Sequence, residues 1–267
     1  MNILEVLKMM SEYGFFKFHE KLRKIYLIQL KKKQRYSDYT SRRASFVANE
    51  IMNEFSKRNV EDTNLLLIDL GCGNGIIEKY IFSCCKESSA LHNLRIVCID
   101  LNVESLTNEW LGGDKCERIV AFLPFIPLRN RIANFIVMSE IIEHLPKDLS
   151  MLLLKRVYEM LSNGGVLIIT TPNISNYFSR VRALLMGNFD LFDPQHFQYL
   201  NFNKLRVMLQ EVGFKVIIRE HFDLVMDKSG VLSKFALLIP IKIRKILLKI
   251  LPELDKLVVV KVYKKIK

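Results

Sequence analysis

The sequence predicts an α/β fold in which a mostly parallel sheet carries helices on both faces, and three observations predict it. Leu65 to Leu70 is an apolar run broken only by Asp69, and it ends in glycines that alternate at Gly71, Gly73 and Gly75. Such a run reads as a parallel strand buried on both faces that enters a tight turn. A second apolar run, Leu94 to Ile99, ends in an acid, Asp100. Two more runs, Asn134 to Met138 and Val166 to Thr171, enclose a helix-patterned segment from Pro146 to Leu161. Strands and helices therefore alternate along the chain.

Composition sets the limits. A half-apolar chain of 267 residues can bury one large core, and nothing in it demands a second domain. The formal charge of +12, from 40 Lys and Arg against 28 Asp and Glu, favours an anionic partner such as phospholipid headgroups or nucleic acid. A solvated basic surface is the plainer explanation. The five cysteines, at positions 72, 84, 85, 98 and 116, show no zinc spacing and no CxxC pair. They read as reduced, which places the chain in the cytoplasm. Glu5 and Glu12 interrupt the N-terminal apolar runs, so no signal peptide is expected. No stretch approaches the roughly 20 apolar residues that span a bilayer.

Residues 1–62 read as a helical N-terminal cap. Within it a basic run from Lys17 to Arg35, interleaved with aromatic residues, suits either a membrane surface or a phosphate backbone. It equally suits a cap helix whose lysines face water. Tyr36 to Phe55, carrying Tyr39, Arg42 and Arg43, leads into the core, residues 63–226. At the first strand's end the glycines let backbone approach a ligand where a Cβ would intrude. Ile76 stands where a dinucleotide fingerprint needs its third glycine, so the spacing is wrong for a dehydrogenase. A helix follows over Ile76 to Phe82, then a link over Ser83 to Asn93.

Asp100, at the end of the second strand, is placed to accept hydrogen bonds from both hydroxyls of a ribose. A helix N-cap is the alternative role. The third strand is expected over Glu117 to Ala121, followed by Leu123-Pro124-Phe125. After the fourth strand come Ser139, Glu140, Glu143 and His144; the last three, at i, i+3 and i+4, project from one face of a helical turn. Two carboxylates and an imidazole there can hold a divalent metal, with His196 of Asp-Pro-Gln-His as a fourth ligand. They can equally complement a helix dipole or line a pocket.

Asn163-Gly164-Gly165 turns into the fifth strand, which Pro172-Asn173 ends. The stretch from Asn173 to Asp193 reads as a helix over the mouth of the site, where acceptor specificity should lie. A helix over Asn203 to Val212 and a sixth strand over Lys215 to Arg219 follow. Residues 227–255 interrupt the final hairpin, whose last strand falls in residues 256–267, over Lys256 to Tyr263. Inside the interruption, Ile241 to Leu251 sets Lys242, Lys245 and Lys249 on one helical face and Ile243, Ile246, Leu247, Ile250 and Leu251 on the other. Such a helix suits a membrane surface or a protein contact equally.

The order of these landmarks from Leu65 to Asn173 resembles the class I S-adenosylmethionine-dependent methyltransferases, and within them the group that includes ubiquinone-biosynthesis O-methyltransferases. The resemblance covers roughly two thirds of the chain. It implies a single Rossmann-like domain with a seven-stranded, mostly parallel sheet and an antiparallel last strand. It implies S-adenosylmethionine as cofactor, bordered by Asp69, Gly71, Cys72, Gly73, Gly75, Asp100, Leu101, Leu123 and Ser139. The residues Tyr39, Arg42 and Arg43 match a helix that often closes over the cofactor carboxylate. Two departures stand out. Ile119, Val120 and Ala121 fall where the family usually keeps an acid for the adenine amino group, and Asn134 falls where it usually has Asp.

Two branches of the fold, small-RNA 2′-O-methyltransferases and ubiquinone-biosynthesis O-methyltransferases, hold a metal with residues matching Glu140, Glu143, His144 and His196. The resemblance thus implies a Mg or Zn site there. The expected reaction is O-methylation with His144 or His196 as base. A lipid-like or lipid-linked small molecule is the expected acceptor, reached from the cytoplasm with contact at a membrane surface. RNA is the alternative acceptor, and an inactive scaffold of the same fold is the alternative to an enzyme.

Overall fold

A computed structural model describes residues 37–58, 65–84, 94–107, 116–177, 196–222, 239–255 and 257–264. The expected basic N-terminal run, most of the link after the first helix, most of the helix over the mouth of the site and the first part of the insertion lie outside these residues. The chain divides into two compact units, residues 1–40 and 41–267. Of the first unit only residues 37–40, the opening of a helix, are described.

The apolar runs become strands. β1 (Leu65–Leu70), β2 (Leu94–Asp100) and β3 (Cys116–Val120) pair in parallel, and β4 (Ala133–Ser139) and β5 (Leu161–Pro172) continue the sheet on the other side of β1. β6 (Val216–Glu220) and β7 (Leu257–Tyr263) complete a seven-stranded sheet of order β3-β2-β1-β4-β5-β7-β6. β7 runs antiparallel to both neighbours, from Val166↔Tyr263 to Pro172↔Leu257 against β5. The chain winds outward from β1 to β3, then returns to place β4 on β1's free side. That reversal leaves a crevice at the carboxyl ends of β1 and β4, where α/β sheets bind their ligands.

The expected Rossmann-like sheet with an antiparallel last strand is present, with boundaries shifted by a residue or two. The one larger difference is β5, which starts at Leu161 rather than at Val166. Gly164 N–H donates to Lys264 O and Lys264 N–H to Gly165 O, each at 3.0 Å, so the Asn-Gly-Gly segment stays paired with the residue after β7 even though Gly164 takes a left-handed φ of 72°.

Helices cover the sheet because alternate strand residues face opposite ways. Leu67, Ile96, Cys98, Phe135, Val137 and Ile168 share one face, against Ala44, Val47, Ala48 and Ile51 of α1 (Ser37–Ser56) and Ile77 and Ile81 of α2 (Ile76–Cys84). Each such buried aliphatic side chain contributes about 1.5–3 kcal/mol. Lys261 of β7 anchors α1 as well: its Nζ lies 2.7 Å from Glu50, 3.1 Å from Glu54 and 3.0 Å from Glu220. Burial disfavours its charge, but these carboxylates outweigh burial and raise its pKa.

The short α3 (Val103–Leu106) starts at Asn102, whose side chain accepts from Glu104 N–H. That cap was an alternative role for Asp100. α4 (Lys147–Met160) follows Pro146 and buries Leu149, Leu153, Leu154, Val157 and Met160. α5 (Phe202–Val212) is capped by Asn201 and ends at Gly213, whose φ of 111° suits glycine. α6 (Ile241–Ile250) and a 3₁₀ turn, Pro252–Leu254, lie between β6 and β7.

Candidate active site

The carboxyl ends of β1, β2, β4 and β5 lie at one edge of the sheet, and the polar residues singled out above gather there. Gly71 and Gly73 take φ values of 74° and 53°. Gly71 N–H donates to Ile99 O at 2.7 Å, folding the turn against the end of β2. A Cβ on Gly71 would stand 2.0 Å from Ile141 Cδ1, whereas one on Gly73 would meet nothing within 4 Å. Open space therefore borders the backbone at Gly73, and Gly71 is filled by its neighbour.

Asp100 closes the other side of that space. Its Oδ2 accepts from Gly73 N–H and its Oδ1 from Asn102 N–H, both at 2.8 Å. Each oxygen keeps a lone pair to accept from a hydroxyl. Leu101 beside it is exposed, and Ala121 N–H donates to Asp100 O. Leu123 precedes a cis peptide to Pro124, and Phe122 stacks on Phe125 at 6.1 Å.

Asp69 and Cys72 are turned inward. The Asp69 carboxyl, 2% exposed, lies near the fully buried Glu78 of α2. Burial pushes Asp69 well above the usual carboxylate range, and the charge of Glu78 adds to the rise. Burial also raises Glu78, against hydrogen bonding from Asp69. Burial thus biases both carboxyls toward their protonated forms. Asn134, the departure in β4, accepts from Leu66 N–H through Oδ1 at 2.9 Å and ties β4 to β1. An amide oxygen serves that bond as a carboxylate would.

Beyond β4 the geometry differs from a single helical turn. Glu140 has a φ of 58°, and only Ile142–His144 form a 3₁₀ turn. Glu140 therefore diverges from Glu143 and His144. Its carboxylate pairs with Arg43 of α1 at 3.2 Å and accepts from Thr170 at 3.4 Å, while Ser139 and Thr170 hydroxyls meet at 3.0 Å. Glu143, 1% exposed, accepts from Thr171 Oγ1 at 2.9 Å through Oε2; its Oε1 is buried with no hydrogen-bond partner among the described residues. Burial raises the Glu143 pKa strongly, and Glu140 raises it further.

His196 is brought in by the backbone. Phe197 and Gln198 N–H groups donate to Glu143 O at 2.8 and 3.2 Å. The Gln198 side chain donates to Leu145 O and to Ser150 Oγ, each at 2.7 Å. The rings of His144 and His196 then stand edge to face at 4.9 Å. Ligand atoms of Glu143, His144 and His196 lie within 4.8 Å of one another, a set able to hold a metal ion; Glu140 is not in it. Of the four residues expected to act together, the structure brings three close to one another, while Glu140, with a left-handed backbone, pairs its carboxylate with Arg43. Thr170, Thr171, Ser150 and Gln198 had no signal in the sequence, since their roles depend on strand ends and loops meeting.

A family model for a methyltransferase domain matches residues 39–218. The chain belongs to that methyltransferase family. This bears out the class I S-adenosylmethionine-dependent superfamily expected from the landmarks, and S-adenosylmethionine is the cofactor of that family. No curated protein matches the methyltransferase in sequence. Solved structures share its fold. A SAM-dependent methyltransferase from Archaeoglobus fulgidus aligns with a TM-score of 0.55 at 16% identity, over 83% of this chain and 94% of that one. The CurJ carbon methyltransferase aligns at 0.56 and 14%, over 83% of this chain and 54% of that one. The [4+2]-cyclase SpnF aligns at 0.53 and 12%, over 82% of each. The fold therefore accommodates carbon acceptors and a cyclisation, and does not define the acceptor atom. The space at Gly73 beside the Asp100 carboxylate fits the family's cofactor, since a side chain there would occupy it.

Proposed function

We propose that the methyltransferase transfers a methyl group from S-adenosylmethionine to a hydroxyl of a small, lipid-like or lipid-linked acceptor. The observation that carries this reading is the His144–His196 pair, 4.9 Å apart at the same sheet edge as the open Gly73 turn. In this reading Gly71, Cys72, Gly73 and Gly75 border the cofactor's amino-acid part with Asp69 behind them. Asp100 accepts from its ribose hydroxyls, while Leu101, Leu123 and Ser139 line the remainder. The bound cofactor supplies an electrophilic methyl on a sulfonium. His144 or His196 takes the acceptor's hydroxyl proton on an unprotonated ring nitrogen. The rest of the protein's task is to hold nucleophile and methyl carbon in line in a dry pocket. A net charge of +12 and the exposed apolar residues of α6 support a lipid-like acceptor.

A second reading rests on Glu143, His144 and His196. Two imidazole nitrogens and a buried carboxylate with one unpartnered oxygen fit a divalent ion, and nitrogen donors favour zinc or a similar transition ion over Mg. An ion there would orient acceptor hydroxyls and supply Lewis acidity, and the histidines would then be ligands.

The test is a transfer assay with radiolabelled S-adenosylmethionine, offering lipid, RNA and protein fractions with and without a chelator. Label in lipid that chelation leaves unchanged is expected. Chelator-sensitive label in lipid would select the metal reading, and label in RNA or protein would overturn the acceptor. Absence of cofactor binding by calorimetry would instead assign the fold to an inactive scaffold.

A further inference from the structure

We propose that α6 is a docking face for an anionic phospholipid bilayer. Its ten residues, Ile-Lys-Ile-Arg-Lys-Ile-Leu-Leu-Lys-Ile, contain no acid. Residues three and four apart share a stripe on a helix, and three such stripes result. Arg244 and Leu248 form the buried stripe, with Leu248 packed on Leu247 and on Leu254 of the following 3₁₀ turn. Lys242, Lys245 and Lys249 form an exposed basic stripe. Ile243, Ile246 and Ile250 form the third, at 48%, 56% and 68% exposure, and Leu251, just past the helix, is exposed at 48% as well.

The charge pattern selects the occupant. A row of lysines alongside a row of exposed isoleucines complements a surface with anionic headgroups above hydrocarbon. The isoleucines would sit about 5–10 Å into the headgroup boundary while the lysines reach the phosphates. The attachment of α6 adds an independent argument. Asn173, just past β5, donates to Asp255 O at 2.8 Å, and Asn176 donates to Leu254 O at 2.8 Å and Asp255 O at 3.1 Å. Arg219 of β6 also reaches Pro252 O at 2.6 Å and Glu253 at 3.2 Å. The link following α6 is thus bolted to the sheet edge that carries the candidate active site. α6 is thereby tethered through its C-terminal link to that edge, whatever the acceptor is.

The experiment is co-sedimentation of the full chain with vesicles of phosphatidylcholine mixed with phosphatidylglycerol, and with vesicles of phosphatidylcholine alone. Binding to the anionic vesicles, weakened by salt, is expected. Ile246→Glu with Ile250→Glu should weaken it at least roughly tenfold by removing apolar contact. Replacing the three lysines by glutamine should weaken it roughly fivefold per lysine at low salt. All five positions are exposed, so an unchanged unfolding midpoint is expected and verifies folding. Lack of binding to anionic vesicles, or full binding by the Ile246→Glu, Ile250→Glu variant, overturns the proposal. Self-association that the same variant abolishes, without vesicle binding, would assign the face to a second copy of the chain. These readouts involve no methyl transfer, so they stand apart from the acceptor reading.

Discussion

Arg43 and Glu140 form an ion pair at 3.2 Å, each side chain 16% exposed, that joins α1 to the turn after β4. Glu140 reaches it with a φ of 58°, a conformation that costs a non-glycine residue on the order of 1 kcal/mol. Burial raises the Glu140 carboxyl and Arg43 opposes the rise. Arg43→Met should therefore destabilise the fold by about 2–4 kcal/mol at neutral pH. Urea unfolding measures it, and the loss should shrink toward pH 4, where Glu140 is protonated in folded and unfolded chains alike. A loss that stays constant with pH would show that the pair is not what Arg43 contributes.

Gly71 and Gly73 separate packing from binding. Gly71→Ala adds a Cβ 2.0 Å from Ile141 Cδ1 at a φ of 74°, so it should cost more than about 2 kcal/mol, and Ile141→Ala should recover part of this. Gly73→Ala meets no atom within 4 Å and should cost only about 1 kcal/mol of backbone strain. It should instead weaken cofactor affinity. Thermal unfolding with and without S-adenosylmethionine compares the two, and equal stability losses would contradict the assignment.

Asp100→Ala should raise the cofactor Kd at least roughly tenfold, because charge-assisted hydrogen bonds to ribose hydroxyls are lost. The same change frees Gly73 N–H and Asn102 N–H, so stability should also fall by about 1–3 kcal/mol. Calorimetry at saturating protein stability reads the first effect; unchanged affinity would remove Asp100 from the ribose site.

The Asp69–Glu78 pair gives a pH signature. Both carboxyls are raised by burial, so the folded chain binds protons there more tightly than the unfolded chain does. The stability this binding confers is complete below the unfolded values of 3.8 and 4.5 and is lost as pH rises toward the folded ones. Glu78→Gln should therefore gain in stability relative to the parent as pH increases from 4 to 8. A pH-independent difference in urea midpoints would mean that the pair holds no proton.

His144→Ala and His196→Ala should each lower turnover by roughly 10²–10⁴ while leaving cofactor affinity unchanged. Full activity in both variants would exclude base catalysis at the pair. Were the metal reading correct, the same variants would also lose bound zinc in elemental analysis.

The central strands β1, β2, β4, β5 and β7 were legible because they are largely buried and so are written as mainly apolar runs, whereas the edge strands β3 and β6 are mostly exposed. The glycine turn and Asp100 were legible because their function needs particular residue types at fixed distances along the chain. β5 was read short: glycines signal a turn, and Gly164 does take a φ of 72°, yet Gly164 and Gly165 stay in the ladder by pairing with Lys264, more than ninety positions on. The convergence of Glu140, Glu143 and His144 was read from helical spacing, and a single left-handed residue at Glu140 undid it. Lys261 and Gln198 were silent for a different reason. A buried lysine in a strand, or a glutamine in a loop, acquires its role only from carboxylates or carbonyls supplied by distant elements.

The position of β7 bears on how the chain comes to be folded during synthesis. It is last in chain order among the described strands, yet it lies inside the sheet between β5 and β6. Until it is made, β5 and β6 each expose an open edge, and β6 has none of the hydrogen-bonding partners seen in the finished sheet. A nascent chain on the ribosome can thus assemble β1 to β5, but Val216–Glu220 must wait. That interval, rather than the mature fold, is when an unpaired edge is open to aggregation or to a chaperone.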